Sequence, residues 1–352
     1  MRGSPLARLS LAVYVLLVVY ASLYPLEGWR NHGLSPFEFL LAPWPRYVAA
    51  FDVAADVLGY SVVGALVVLA SNPRLRAGPA VLAATLAGLA LSTCLEAAQS
   101  YLPSRIPSLV DVLSNGAGAL VGALLGLAAV PWTRPLHGWR AYLVLPGLLP
   151  ELGVTLLALW IFMQLNPATP LFGGGDLRHL LTSAPGPARA PEFFVALETL
   201  TTAGYLAAVG LLVSTITVPR APVRTITAGL VGAALAVKTL AFAIILRAEH
   251  VLAWLTPGAL QGLAAGAVIL VLAVSLPRVA RLALAAMLLM AATVLVNLAP
   301  PNPYVAATLA VWRQGHFLNF NGLTRVVSSL WPFATIGYLI VLSARWRDDA
   351  LL

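Results

Sequence analysis

A helix crosses the hydrocarbon core of a bilayer with about 20 mostly apolar residues, and few other structures can cross it at all. This sequence supplies such stretches repeatedly, at 6–26, 52–71, 79–100, 108–130, 141–164, 193–218, 223–246, 256–276, 281–299 and 326–344. Proline or arginine punctuates almost every gap between them. Backbone polar groups inside a bilayer must be satisfied within their own segment. The pattern therefore predicts an all-α polytopic transmembrane helical bundle of about ten spans.

Composition closes off the alternatives. Hydrophobic residues make up 60% of the 352 and charged residues only 10%, against about 25% charged in a soluble domain. The net charge of +8 invites a nucleic-acid partner, but the arginines come in pairs between apolar runs and form no basic stripe. They read as topology signals, so no nucleic acid is expected. Cys94 is the only cysteine, which excludes an intramolecular disulfide and reads as a small buried hydrophobe. His32, His137, His179, His250 and His316 lie far apart and near loops. No metal-ligand spacing, nucleophile elbow or Walker loop is present, so no metal and no cofactor are called for.

With the N-terminus placed inside, the inner segments carry Arg2 and Arg8, Arg74 and Arg76, Arg134 and Arg140, Arg220 and Arg224, Arg278 and Arg281, Arg345 and Arg347. The outer segments are longer and more sparsely basic. This bias predicts both termini on the cytoplasmic side. A cleaved signal peptide ending near Ala21 is the alternative for the first stretch. Residues 27–51 hold Trp29, Phe37, Phe39, Trp44 and Tyr47 among prolines, and 300–325 hold Tyr304, Trp312, Phe317 and Phe320. Both compositions suit a membrane–water boundary. Residues 176–183 place Leu177, Leu180 and Leu181 on one face of a possible short interfacial helix.

On this topology a polar cluster collects at the outer face. Asp52 and Asp56 open the second span, Glu96 and Gln99 end the third, and Asp111 and Asn115 open the fourth. Arg105 lies in the connection between the third and fourth. The i,i+4 and i,i+3 spacings put each pair on one helix face, and the short connection makes the third and fourth spans neighbours. Four carboxylates then face one arginine. Ionisable groups cost about 2.5–3.5 kcal/mol each at mid-membrane on insertion scales. Glu96, Arg105, Asp111, Asp52, Gln99 and Asn115 are the candidate ligand-binding residues, with Asp56 behind them. The alternative for all seven is a set of salt bridges, helix caps and interhelical hydrogen bonds.

The order Glu96-x-x-Gln99, Arg105, Asp111-x-x-x-Asn115-x-x-Gly118, preceded by Asp52-x-x-x-Asp56, resembles the VanZ-like family of bacterial membrane proteins over about residues 6–130. Asp56 departs from the pattern, since the family usually has Asn or His there. The resemblance implies an envelope-related role, the family's name coming from a member associated with low-level teicoplanin resistance. It supplies no reaction. It also implies a division into a VanZ-like four-helix module at 1–135 and a six-span region at 136–352 without a readable motif.

Elsewhere, Gly118, Gly122 and Gly126, and again Gly258, Gly262 and Gly266, form small-residue stripes suited to close helix packing. Glu198 and Lys238 are expected as a buried pair. Pro146 and Pro150 are expected to break the fifth span near Glu151. The outer segments 165–192 and 300–325 are expected to cover the acidic cluster, bringing Arg313, His316, Asn319, Asn321 and Arg325 towards it.

The reading that follows is a multi-pass protein of the bacterial inner membrane that recognises or handles an amphiphilic envelope molecule, a membrane lipid or lipid-linked species, at the outer leaflet. Three alternatives stand beside it: a transporter, which lacks an evident polar path through the inner halves of the spans; an enzyme on a lipid-linked substrate, which lacks an evident nucleophile; and a structural or regulatory membrane subunit.

Overall fold

The computed structural model describes residues 4–31, 33, 35–178, 189–245, 251–303 and 318–349. Among them ten α-helices follow in chain order: α1 Pro5–Leu23, α2 Ala50–Ser71, α3 Ala77–Gln99, α4 Leu109–Leu143, α5 Leu148–Met163, α6 Pro191–Ile216, α7 Val223–Ile245, α8 Pro257–Ala273, α9 Arg278–Leu298 and α10 Leu318–Asp349. Eight are long and apolar enough to cross a membrane; α5 and α8, of 16 and 17 residues, are shorter. The chain is a multi-pass helical membrane protein. Several helices start where local chemistry says they should. Ser4 accepts from the Ala7 N–H and is followed by Pro5; Thr256 accepts from the Ala259 N–H and is followed by Pro257. A side-chain acceptor satisfies a free N–H of the first turn, and proline has no N–H to lose there.

The chain divides into two compact units, Met1–Ala141 and Tyr142–Leu352. In the first, α1 packs on α2 and α3, and α2 packs on α3. The α4 helix beds against α2 through its glycines. A Cβ at Gly118 would lie 2.5 Å from the Val57 carbonyl oxygen, one at Gly126 would lie 2.8 Å from Ala65 Cα, and one at Gly122 would overlap the Ser61 carbonyl. Val68, Ala80, Ala84 and Ala123 form a tight apolar seam among α2, α3 and α4. The expected glycine stripe is thus a backbone-to-backbone contact. The structure also corrects the reading of Cys94. It is exposed on α3, because an apolar side chain in a bilayer protein can face lipid as readily as core.

In the second unit, α6 is the central helix, almost wholly buried, with α5, α7, α8 and α9 around it and α10 packed on α5 and α9. The second glycine stripe meets α6: a Cβ at Gly262 would lie 2.5 Å from Thr202 Cβ, and one at Gly266 would lie 2.9 Å from the Ala203 carbonyl oxygen. Three expectations are corrected. The fifth span begins at Leu148 instead of 141 because α4 runs on to Leu143. Pro146 and Pro150 do not break α5: Gly147, at φ 120°, is its N-cap, and Pro150 sits in the first turn, where its missing N–H has no intrahelical partner to lose. Glu198 and Lys238 do not pair. Lys238 Nζ donates to the carbonyls of Asn166 at 2.7 Å and Thr169 at 2.9 Å, while Glu198 accepts from the Thr256 hydroxyl at 2.6 Å.

Residues 164–178 enter the second unit as irregular backbone. Gly175 N–H donates to the Ser328 carbonyl at 2.7 Å, and Asn297 donates to the Gly175 carbonyl while accepting from the Leu177 N–H. Asp176 to Arg178 belong to this non-helical segment; the rest of the expected interfacial helix, 179–183, lies outside the described residues. So do 304–317, including Arg313 and His316, which were expected to face the acidic cluster.

Candidate functional site

The polar residues of the first unit gather where α2 begins, α3 ends and α4 begins. Ser108 caps α4, its hydroxyl accepting from the Val110 N–H at 3.1 Å. The Ser108 N–H donates to Glu96 Oε2 at 2.8 Å. A buried carboxylate therefore sits at the N-terminus of α4, where the unpaired amides and the helix dipole favour negative charge. One turn into α4, the Ser114 hydroxyl donates to Asp56 Oδ2 at 2.7 Å and lies 3.1 Å from the Asp111 carbonyl. Asp111 has Ser108 as its side-chain partner. The charges acting on Glu96 are those of Asp111, Asp56 and Arg105; Asp52, exposed at the start of α2, acts on both Asp56 and Asp111. Among the described residues, no ion pair within 4.0 Å joins any of these acids to a cation.

Beneath the acids lies a neutral polar layer. Asn115 Nδ2 donates to the Ser92 hydroxyl at 2.9 Å, and Ser92 is also the hydrogen-bond partner of the Tyr60 phenol. Asn115, Ser92 and Tyr60 are 6%, 1% and 5% exposed, and Asn115 Oδ1 is a buried acceptor without a hydrogen bond. Buried polar atoms are rarely left this way.

Two of the seven expected residues turn towards α1. Gln99 Nε2 donates to the Ser22 carbonyl at 2.8 Å, and Arg105 Nη2 donates to the Tyr24 carbonyl at 2.9 Å. They supply donors to the free carbonyls that end α1, where a cation is also favoured by the helix dipole. Burial pulls the Arg105 guanidinium below its usual pKa, and the negative charge of Glu96 opposes that. The structure thus brings together Asp56, Glu96 and Asp111, sets Asp52 at their edge and Asn115 beneath them, and uses Gln99 and Arg105 to hold α1. Asp52, Glu96 and Asp111 form no metal-ligand group among the described residues.

Sequence reasoning missed Tyr60, Ser92, Ser108 and Ser114 as parts of the site. A signal was available: Tyr60 lies four residues after Asp56, Ser92 four before Glu96, and Ser114 three after Asp111, so each extends an acidic face by one helical turn.

Above the acids, the segment between α1 and α2 folds over the α3–α4 connection. Arg30 N–H donates to the Tyr101 carbonyl at 2.8 Å, and Phe39 packs on Ala97 and Val112. Between these two segments is a cavity of 360 Å³ lined by Ser35, Pro36, Glu38, Phe39, Ser100–Pro103, Arg105 and Pro107.

Comparison with curated proteins finds no match, and comparison with solved structures finds none either. Comparison with family models matches residues 10–130 to VanZ/LLP1. That span holds Asp52, Asp56, Glu96, Gln99, Arg105, Asp111 and Asn115, and the N-terminal module of this multi-pass membrane protein belongs to the VanZ-like family.

Proposed function

We propose that the VanZ-like module recognises the polar part of an amphiphilic cell-envelope molecule, a membrane lipid or a lipid-linked species, at the outer leaflet of the bacterial inner membrane. One observation carries this reading: Asp56, Glu96 and Asp111 converge from three helices, with Asp52 beside them, and no described cation pairs with any of them. A cluster built only to lock helices would pair its charges, because an unpaired ion in a low-dielectric site costs several kcal/mol on the order expected for membrane insertion. Acceptors held together without a counter-charge suit hydroxyl or amine groups of a ligand, or protons shared among the carboxyls. The orphaned Asn115 carbonyl oxygen adds one further acceptor. The family's link to teicoplanin resistance agrees with a role in handling envelope material.

The competing reading is a structural lock. It is favoured by Gln99 and Arg105, whose side chains cap α1. Glu96→Gln separates the two, since glutamine keeps the shape and removes the charge. For a ligand site, the variant purifies at least as stable as the native protein and loses a bound lipid or its head-group preference, read by mass spectrometry of co-purifying lipids. A marked loss of thermal stability with an unchanged lipid profile overturns the proposal.

A further inference from the structure

The cavity above the acidic cluster has its own chemistry. Its floor is apolar, with Phe39 6% and Leu102 1% exposed. Its polar groups are mostly donors with nothing to donate to. Arg105 spends one N–H on the Tyr24 carbonyl; a guanidinium has five, and the rest of the fork has no partner among the described residues. The Tyr101 hydroxyl likewise makes no hydrogen bond among them. Ser35 accepts from the Phe37 N–H at 3.4 Å and keeps its own proton to give. A planar fork beside free hydroxyls fits a phosphate. One acid, Glu38, lines the same cavity and is exposed. It would repel a head group of net negative charge and attract one that carries an ammonium next to its phosphate.

The rim points to where the ligand comes from. Phe37 and Ile106, each flanked on both sides by lining residues, are 50% and 91% exposed, and Leu41 is 91% exposed. The cavity lies just beyond Gln99, the end of a membrane-spanning helix, so these side chains stand at the depth where acyl chains meet head groups. The volume of 360 Å³ falls within the range of about 300–1,000 Å³ typical of small-molecule sites, enough for a head group but not for acyl chains, which would lie along the rim.

We infer that this cavity binds the head group of a zwitterionic phospholipid of the phosphoethanolamine type, with the phosphate on Arg105 and Tyr101 and the ammonium towards Glu38. The inference rests on the reading of the module as a handler of amphiphiles and adds the head-group class.

The test uses the full chain in detergent, incubated with equimolar phosphatidylethanolamine and phosphatidylglycerol, with bound lipid read by native mass spectrometry. The variants are Glu38→Gln and Tyr101→Phe, neither of which removes a hydrogen bond within the described protein, with Glu96→Gln alongside. The native protein should prefer phosphatidylethanolamine by about tenfold, as expected for one charge-assisted contact. Glu38→Gln should bring that ratio close to one, and Tyr101→Phe should weaken retention of both lipids about fivefold. Millimolar inorganic phosphate should displace neither. Displacement by phosphate would instead assign the cavity to a free anion and overturn the lipid source. An unchanged ratio in Glu38→Gln overturns the inference. If Glu96→Gln alone shifts the lipids, the module handles an amphiphile elsewhere and the cavity assignment fails. If only the cavity variants shift them, the cavity stands and the acidic cluster is a lock.

Discussion

Gly118→Ala tests how the site is held together. The α2 and α4 backbones meet at Gly118, where an added Cβ would lie 2.5 Å from Val57 O, 2.8 Å from Val57 Cα and 3.0 Å from Val57 C. Ordinary contact begins near 3.4 Å, so the two helices must part by roughly 1 Å, and none of the obstructing atoms belongs to a side chain that can swing away. A shift of 1 Å forfeits a quarter to a half of each dispersion well along the seam, which also includes Gly122 and Gly126. We expect a loss of about 2–3 kcal/mol, the upper range for overpacking. The damage reaches the site directly. Val57 follows Asp56, and Gly118 lies one turn beyond Ser114, so separation lengthens the 2.7 Å Asp56–Ser114 hydrogen bond. Unfolding by dodecyl sulfate in dodecylmaltoside micelles measures the effect. Gly59→Ala, on the facing helix α2 with nothing within 4 Å of the added Cβ, is the control and should gain about 0.5–1 kcal/mol from helix propensity. A Gly118→Ala protein within about 0.5 kcal/mol of native, the ordinary range for a surface change, would refute the claim that backbone contact sets the α2–α4 spacing.

Other perturbations separate site from scaffold. Ser114→Ala should cost about 1 kcal/mol by removing the hydroxyl donor on Asp56; an unchanged denaturation midpoint would count against it. Asn115→Leu should be close to neutral in denaturation, because the orphaned Oδ1 leaves along with the Ser92 contact, whereas Asn115→Asp should destabilise strongly by adding another buried acid. Lys238→Met should lower thermal stability by about 2–4 kcal/mol, since the Thr169 carbonyl loses its donor in a buried setting; stability equal to native would show that the ammonium's desolvation cancels its bonds. Cys94→Ser should leave stability within about 0.5 kcal/mol, as expected for an exposed side chain.

The spans and the depth of the polar cluster were legible because both follow from one-dimensional rules. Apolar length fixes the helices, and distance from a helix end fixes depth. The approach of Glu96 to Asp111 and Asn115 follows from the same rules together with the short α3–α4 connection, whereas Asp56 was placed only at their depth. What depth cannot supply is azimuth. Glu198 and Lys238 were placed at a common level on neighbouring helices, yet each side chain points to a different partner. Gln99 and Arg105 failed to read as anchors for a related reason: their acceptors lie 77 and 81 residues earlier in the chain. A motif records which side chains recur, and says nothing about a carbonyl that any residue could provide. Cys94 was misread for want of a solvent, since the rule that apolar means inside holds in water and fails in lipid.

The second unit shows why its polar residues formed no motif. Irregular backbone buried among membrane helices must find partners inside the protein, and the 164–178 segment finds them one at a time. The Leu171 carbonyl takes Thr202 from α6, the Asn166 and Thr169 carbonyls take Lys238 from α7, and Gly175 and Leu177 share Asn297 from α9. Gly175 N–H and the Asp176 carbonyl are met from α10, by the Ser328 carbonyl and the Ser329 hydroxyl. The partners come from four different helices and follow no common spacing, so each reads locally as interhelical glue. Lys238 is the sharpest instance. The chain has 21 lysines and arginines, and it is the one lysine. Where a charge only has to sit at a membrane surface, this sequence uses arginine. Where three donors must converge on two carbonyls and a hydroxyl in a fully buried space, a compact ammonium fits and a planar guanidinium does not. That choice of residue, invisible to a count of net charge, marks the buried segment as a fixed part of the second unit.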